Sequence, residues 1–468
     1  MNVTNYGDKD RKLHIEGHLQ REYVEQKEYA GASTHKRIAE NNDVVAVWQT
    51  NDLLELILSK DNLNEAYRKV VRNKGSAGID GMNVNELLPY LKEHGKELIQ
   101  QIGRGKYKPS PVRRVEIPKE EKGKVRKLGI PTVVDRLIQQ AIAQILSPVY
   151  EEQFSETSYG FRPQRGAHNA LKQCQEYVDA GYVYVVDMDL EKFFDTVNQS
   201  KLIEILSRTI SDGRVVSLIH KYLNAGILSK GIFKKSENGV PQGGPLSPLL
   251  SNIMLNELDK ELEHRGHKFI RYADDCMILC RSVRSARRTL ENITKYVEQK
   301  LYLKVNKEKT VVAHVSKVKY LGYAFYRYKG KCRLRIHPKS ILKMKNKLRA
   351  LTARSKAISN TDRIAKLNRF IVGWINYFKL ADTKKLLRET DEWLRRKIRA
   401  IYWKQWKKVK TRYKMLKALG ASDWKLHEMS NCRKGVWRAS IMLNQIFSKK
   451  KIVSLGFYSM TDYYAKLC

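Results

Sequence analysis

Three carboxylates stand where carboxylates are costly. Asp189 closes Tyr182-Val183-Tyr184-Val185-Val186-Asp187-Met188-Asp189, an apolar run that reads as a buried strand. Asp274 and Asp275 are neighbours between two short strand-like runs, Phe269-Ile270-Arg271-Tyr272 and Cys276-Met277-Ile278-Leu279-Cys280, which places them at a strand–turn–strand tip. A buried strand rarely ends in ionised side chains unless a cation or a partner neutralises them, and adjacent aspartates add like-charge repulsion. A pair of divalent ions ~3.5–4 Å apart removes both penalties, and carboxylate oxygens suit Mg²⁺. Asp187 lies on the same strand face as Asp189, so the strand offers two candidate ligands.

The elements that must position these acids follow from periodicity. A helical pattern starts at Leu53 and stops at the glycine-rich turn Lys74-Gly75-Ser76-Ala77-Gly78-Ile79-Asp80-Gly81, and a second helix covers about 83–103. Pro109, Pro111, Pro118 and Pro131 punctuate β-like runs such as Val112-Arg113-Arg114-Val115-Glu116-Ile117, with a basic hairpin tip at 119–126. Helices are expected at about 134–149, 200–224, 246–264 and 284–301, with a strand pair around 305–328. After His337-Pro338 the pattern turns helical and basic, with helices at about 339–354, 361–379 and 383–409 and a small helical module over 411–468. Residues 1–50 read as a polar extension, in which His14 and His18 have an H-x-x-x-H spacing that could bind a metal but better suits a solvated helix face.

Composition narrows the partners. The 468 residues carry 89 Lys and Arg against 49 Asp and Glu, a net charge of +40, and residues 331–468 alone hold 36 basic against 8 acidic residues. Such a field attracts polyanions, of which nucleic acid is the commonest large one. At 42% hydrophobic content the chain can build real cores, which excludes disorder throughout. No apolar run is long enough for a membrane span, and the N-terminus carries no secretion signal. Six cysteines without a CxxC pair exclude a disulfide scaffold and point to a reduced, cytoplasmic protein.

The acids also sit in ordered motifs. Tyr272-Ala273-Asp274-Asp275 has the YxDD form of polymerase motif C. Val186-Asp187-Met188-Asp189-Leu190-Glu191-Lys192-Phe193-Phe194-Asp195-Thr196-Val197 resembles motif A, and Gly239-Val240-Pro241-Gln242-Gly243-Gly244-Pro245-Leu246-Ser247-Pro248 resembles motif B. Tyr320-Leu321-Gly322-Tyr323, Tyr159-Gly160-Phe161-Arg162-Pro163 and the run from Gly129 to Arg136 match further blocks. In this order they are similar to bacterial group II intron reverse transcriptases, also called maturases, over about residues 51–468. The form most resembled is the compact, group IIC-like one without an HNH endonuclease domain.

The resemblance implies an α+β right-hand polymerase: fingers and palm with an antiparallel sheet over 51–335, an α-helical thumb or maturase domain over 336–410, and a small helical DNA-binding-like module over 411–468. It implies RNA-directed DNA synthesis with two Mg²⁺ ions held by Asp189, Asp274 and Asp275. Asp189 is preferred over Asp187 because the family places an aromatic residue five positions after the metal ligand, and Phe194 fits. Lys119 and Arg126 match residues that clamp the dNTP triphosphate, with Arg113 and Arg114 as helpers. Phe194 would exclude a ribose 2′-OH, where related RNA polymerases carry an acid. Gln242 and Gly243 would meet the nascent base pair, with Tyr272 and Gly322 near the primer–template duplex.

Six of the seven tryptophans lie in the basic tail (Trp374, Trp393, Trp403, Trp406, Trp424 and Trp437), where each ring could pack between helices or stack on a base. Arg395, Arg396, Lys397, Lys404, Lys407 and Lys408 are the candidates for phosphate contacts. The implied partners are the parent group II intron RNA, target DNA and dNTPs, with no membrane, and a homodimer left open. The implied function is splicing assistance combined with target-primed reverse transcription in retromobility. The rivals are a splicing-only maturase and a reverse transcriptase repurposed for host defence or repair. His427, Cys432 and Cys468 have no matching cluster, so no zinc or nuclease site is expected and mobility would use single-stranded or nicked DNA.

Overall fold

The computed structural model describes residues 52–118, 123 and 125–467. The expected extension over 1–50 and the candidate Lys119 lie outside them. The chain divides after His314 into two compact units.

The first unit begins with helices α1 (Leu53–Ile57), α2 (Lys60–Arg72) and α3 (Leu87–Gly103). The apolar pattern runs on through Leu58, but the helix breaks there because Ser59 adopts an extended ψ and its hydroxyl accepts from the Asn62 amide, restarting the chain as α2. Strands β1 (Val112–Pro118) and β2 (Val125–Ile130) pair antiparallel from Arg113 opposite Ile130 to Pro118 opposite Val125. Helix α4 (Val133–Glu151) is capped by Thr132, whose hydroxyl accepts from the Asp135 amide at 3.1 Å, and most of its side chains are buried. Helix α5 (Ala167–Asp179), strand β3 (Tyr184–Met188) and the short helix α6 (Phe193–Thr196) follow.

The single helix expected over 200–224 is two, α7 (Gln199–Ser207) and α8 (Gly213–Asn224). Asp212 interrupts it. Its carboxylate accepts from the Arg214 amide at 3.0 Å, capping α8, and from the Leu54 amide at 3.0 Å. Strands β4 (Ile227–Ser229) and β5 (Ile232–Lys234) complete a sheet of order β2-β1-β4-β5, antiparallel except where β4 runs parallel to β1.

Helix α9 (Ser247–His264), the hairpin β6 (Lys268–Tyr272) and β7 (Asp275–Cys280), helix α10 (Val283–Lys300) and strand β8 (Val311–His314) finish the unit. Its second sheet has the order β6-β7-β3-β8, antiparallel throughout. Alternation gives this sheet two faces. Val186, Met188, Cys276 and Ile278 join the main core with α4 and α9, whereas Asp187 and Met277 share the opposite face.

The second unit opens with a sheet of order β11-β10-β9, built from β9 (Lys319–Tyr320), β10 (Tyr323–Tyr328) and β11 (Lys331–Ile336). Helices α11 (Pro338–Leu351), α12 (Asn360–Phe378) and α13 (Lys384–Gln405) match the three expected helices to within a few residues. Five short helices follow: α14 (Val409–Ala418), α15 (Asp423–Ser430), α16 (Val436–Met442), α17 (Lys449–Ser454) and α18 (Met460–Ala465). Of these, α16 and α18 pack back on α13. Its buried Asp391 accepts from the Met460 and Thr461 amides at the start of α18, and its buried Arg399 donates to the carbonyls of Ser440 and Phe447. Among the described residues no helix is long and apolar enough to cross a membrane.

Candidate active site and nucleic-acid interface

The register of the second sheet brings the acids of two distant segments to one edge. Met188 pairs with Cys276, so Asp189 follows on the strand beside Asp275. Tyr272 pairs with Asp275 across the hairpin, which leaves Ala273 and Asp274 as its two-residue turn. Ala273 has a left-handed backbone, φ +57°, a conformation that costs an L-residue about 1–2 kcal/mol. Burial and then the Asp189 charge push the Asp274 carboxyl above its ordinary pKa, whereas the charge of Arg126, from β2, pulls it down. Asp189 and Arg126 each lie within electrostatic reach of Asp274. Burial and the same Asp189 charge raise Asp187 to about 6.

Asp189 is held by its own backbone. Its amide donates to the Thr310 hydroxyl at 3.2 Å, its carbonyl accepts from the Asn306 amide at 2.8 Å, and Leu190 bridges to Val305. The same segment delivers Lys309, whose ammonium lies 3.2 Å from the Asp189 carboxylate.

The residues expected around the nucleotide are assembled by main-chain contacts. Phe193 is buried in the core and Phe194 is half-buried beside it, the rings edge-to-face with centroids 5.2 Å apart. The Phe194 carbonyl accepts from the Val240 amide and the Val197 carbonyl from the Gly239 amide, both at 2.7 Å. Gly239 has φ +91°, and a Cβ there would lie 2.7 Å from the Phe194 oxygen, so motif B rests on motif A only because that residue is glycine. Further along the loop, the Gln242 carbonyl accepts from the Gly129 amide of β2 at 2.7 Å, and a Cβ on Gly243 would lie 2.6 Å from the Gly129 oxygen. Arg114 is opposite Gly129 in register. Arg113 is spent elsewhere, its guanidinium donating to the Ala77 carbonyl at 2.7 and 3.1 Å.

In the second unit Gly322 makes the turn between β9 and β10. Its φ is +82°, its carbonyl accepts from the Ser340 hydroxyl, and a Cβ would press on the Phe378 ring at 3.2 Å. Along α13 and the turn that follows it the basic candidates separate. Lys404, Lys407 and Lys408 are exposed, and Arg395 is half-buried. Arg396 stacks on Trp437 with its guanidinium carbon 3.8 Å from the ring centroid and donates to the Trp437 carbonyl. Lys397 lies between Trp393 and Trp437, 5.5 and 5.4 Å from the ring centroids. Burial, Arg354 and Arg349 lower the Lys397 pKa, an excess of positive charge with no carboxylate among its causes. Trp374, Trp403 and Trp406 are core residues, while Trp424 and Trp437 are exposed.

Comparison with known proteins accounts for both units. The family "Reverse transcriptase (RNA-dependent DNA polymerase)" matches residues 117–325, and "Group II intron, maturase-specific domain" matches 341–420. Protein YkfC of Escherichia coli is 34% identical over 60% of this chain and 85% of its own length. The group II intron-encoded protein LtrA of Lactococcus lactis is 32% identical over 58% of this chain, which spans about half of LtrA (56%). The chain belongs to the group II intron reverse transcriptase/maturase family. The two matched models place a reverse transcriptase domain and a maturase-specific domain in one chain. Among solved structures, a chain of a partial Cas6-RT-Cas1--Cas2 complex is similar over 53% of this chain and 42% of its own, with 26% identity and a TM-score of 0.35.

Enzymes of the reverse transcriptase family use divalent ions, and the donors here suit magnesium, being hard carboxylate oxygens whose mutual repulsion a cation relieves. The acids do not form a finished cage. Among the described residues no three His, Cys, Asp or Glu side chains converge closely enough to hold a metal ion. Magnesium usually takes one or two carboxylates and completes its shell with water and substrate phosphates. Gly129 and Gly239 stand in the matched motif blocks, but their contacts with remote main chain are not legible there. Lys309 carries no signal of its role in the sequence, and Arg399, though basic, is a buried packing residue whose pKa falls to about 10 by burial and by its neighbours Arg395 and Arg396.

Proposed function

We propose that this protein is an RNA-directed DNA polymerase of the two-metal type that binds its parent intron RNA, assists its splicing and copies it by target-primed reverse transcription during retromobility. The observation that carries the polymerase reading is the strand register that sets Asp189 beside Asp275 at one end of the second sheet, with Asp274 in the adjoining two-residue turn.

In this reading residues 51–335 form fingers and palm, 336–410 the thumb or maturase domain, and 411–468 a helical DNA-binding module. Asp189, Asp274 and Asp275 hold two magnesium ions. The bound ions supply Lewis-acid stabilisation to the primer 3′-oxygen and to the leaving pyrophosphate. Arg126 and Lys119 neutralise the triphosphate, Arg by a forked contact and Lys as a point charge. Phe194 closes the space a 2′-OH would need. The Gln242-Gly243 backbone, fixed to β2 through Gly129, offers a flat surface to the nascent base pair. Tyr272 and Gly322 contact the primer–template duplex. Arg395, Lys397, Lys404, Lys407 and Lys408 contact phosphates of intron RNA or target DNA, and Arg396 holds Trp437 in place for an unpaired base. The working compartment is the cytoplasm.

Primer extension on poly(rA)/oligo(dT) with dTTP and Mg²⁺ tests the reading. Extension by the unmodified protein, lost in Asp274→Ala, is expected. No extension by the unmodified protein contradicts it and leaves only the RNA-binding role.

A further inference from the structure

Behind the turn that carries Asp274 lies a buried polar unit with no part in the mechanism above. The Arg271 and Asp259 side chains are both 0% exposed. The guanidinium donates to Asp259 through Nε at 2.8 and 3.0 Å and through Nη2 at 2.5 Å. Its Nη1 donates to the Asn252 side-chain oxygen at 2.9 Å and to the Ala273 carbonyl at 3.0 Å. Asn252 and Asp259 stand about two helical turns apart on α9 and so present one face. The Asn252 amide in turn donates to the Gly160 carbonyl at 2.8 Å. Backbone bonds close the unit: the Arg271 amide donates to the Thr157 carbonyl and its own carbonyl accepts from the Tyr159 amide, at 2.9 and 2.8 Å.

Stability alone does not account for this arrangement. A buried Arg–Asp pair is commonly no better than well-packed apolar side chains of the same volume, because both charges lose their hydration. What an apolar pair cannot do is donate a hydrogen bond to the Ala273 carbonyl, inside the strained turn. Gly160 meets the same turn from another side, where an added Cβ would overlap the Ala273 amide nitrogen. The turn is thus gripped by a guanidinium and by a glycine that lie far apart in the chain.

We propose that Arg271, Asn252 and Gly160 are positioning residues that lock the left-handed Ala273 turn, and thereby fix where the Asp274 carboxylate stands for the metal-dependent reaction. The inference rests on the polymerase reading for its catalytic consequence, but not for its structural one. An acid displaced by about 1 Å costs up to about 10²-fold in rate without an equal loss of substrate binding.

Two variants test it on the full chain. Arg271→Lys keeps a positive charge for Asp259 and forfeits the fork that reaches Asn252 and Ala273. Gly160→Ala leaves the ion pair intact and displaces the turn from the other side. The expected result for each is a kcat lower by about 10- to 10²-fold, a dNTP KM within about threefold of the unmodified protein, and a higher Mg²⁺ concentration at half-maximal rate. Hydrogen exchange is expected to accelerate in the peptide containing 272–275 and not in α9. A rate loss that only tracks the folded fraction, with an unchanged Mg²⁺ midpoint, overturns the proposal, as does exchange that accelerates equally through α9. Should Arg271→Lys fail to fold, Gly160→Ala decides by the same readouts. If the unmodified protein does not extend primers, the polymerase reading fails, and the exchange measurement still decides whether the unit holds the turn.

Discussion

The carboxylate site and the basic face of α13 solve opposite electrostatic problems. At the first, negative charge is concentrated in a few side chains whose places are set by backbone: strand register for Asp189 and Asp275, a two-residue turn for Asp274, glycine contacts for the motif B loop. Along α13 and the turn after it, positive charge is spread over many side chains, several of them exposed and others propped on tryptophans. A site that must place atoms for a reaction depends on each member. A surface that neutralises a polyanion depends on their number. Single substitutions should therefore be severe in the first region and graded in the second.

The largest effect expected is that of Asp274→Ala, which should reduce primer extension by more than about 10³-fold and leave RNA affinity within about twofold. Loss of RNA binding in that variant would break the separation of the two regions. Next, Phe194→Ala should lower the preference for dNTP over rNTP by about 10²-fold, because a pocket that excludes a hydroxyl by shape alone loses that exclusion with the ring. Incorporation kinetics with dTTP and UTP measure it, and unchanged sugar selectivity removes Phe194 from the site.

A thermodynamic effect of intermediate size is expected at Asp187, whose pKa is raised to about 6 by burial and by Asp189. The folded state keeps a proton that the unfolded chain releases at about 3.9, so this group lowers stability as pH rises through that interval. Asp187→Asn should then raise the melting temperature at pH 8 in EDTA, by at most about 3 kcal/mol of stability, and change little near pH 4. An equal shift at both pH values would assign the gain to packing.

The smallest effects belong to the basic face. Neutralising Lys404, Lys407 and Lys408 together to Gln should weaken single-stranded RNA binding and flatten the salt dependence by about 0.7 per lost contact in log–log slope, with extension on a short primer–template unaltered. Arg399→Met should instead lower the melting temperature and leave that slope alone, because Arg399 is committed to the Ser440 and Phe447 carbonyls. If it flattens the slope as the lysines do, α13 and the turn after it do not divide into packing and binding residues.

Much of the first region is legible in the order of its residues. The apolar run to Asp189 and the two runs flanking Asp274-Asp275 carry strand patterning in consecutive positions, so local sequence suffices. The break between α7 and α8 is marked locally by Ser211-Asp212-Gly213, a cap residue before a glycine, although the apolar pattern resumes beyond it; what is not legible is the second bond of Asp212, to Leu54, 158 residues away. Strand β11 is hidden for a different reason. Lys331, Arg333 and Arg335 alternate with the buried Cys332, Leu334 and Ile336, a period-2 pattern masked by a basic stretch that reads as a prelude to helices. Lys309 cannot be found from spacing at all, and Gly129, though it opens a matched block, gives no hint of its bond to Gln242, since each acts on a partner brought close only by the fold.

The central claim is that acids from separated motifs share the reaction's metal ions. Electron paramagnetic resonance of Mn²⁺ bound to the full protein with a chain-terminated primer, RNA template and incoming dNTP tests it directly. The account predicts two tightly held ions in the unmodified protein, with occupancy lost in Asp189→Ala and in Asp274→Ala alike. Two ions retained at undiminished affinity in either variant would contradict it.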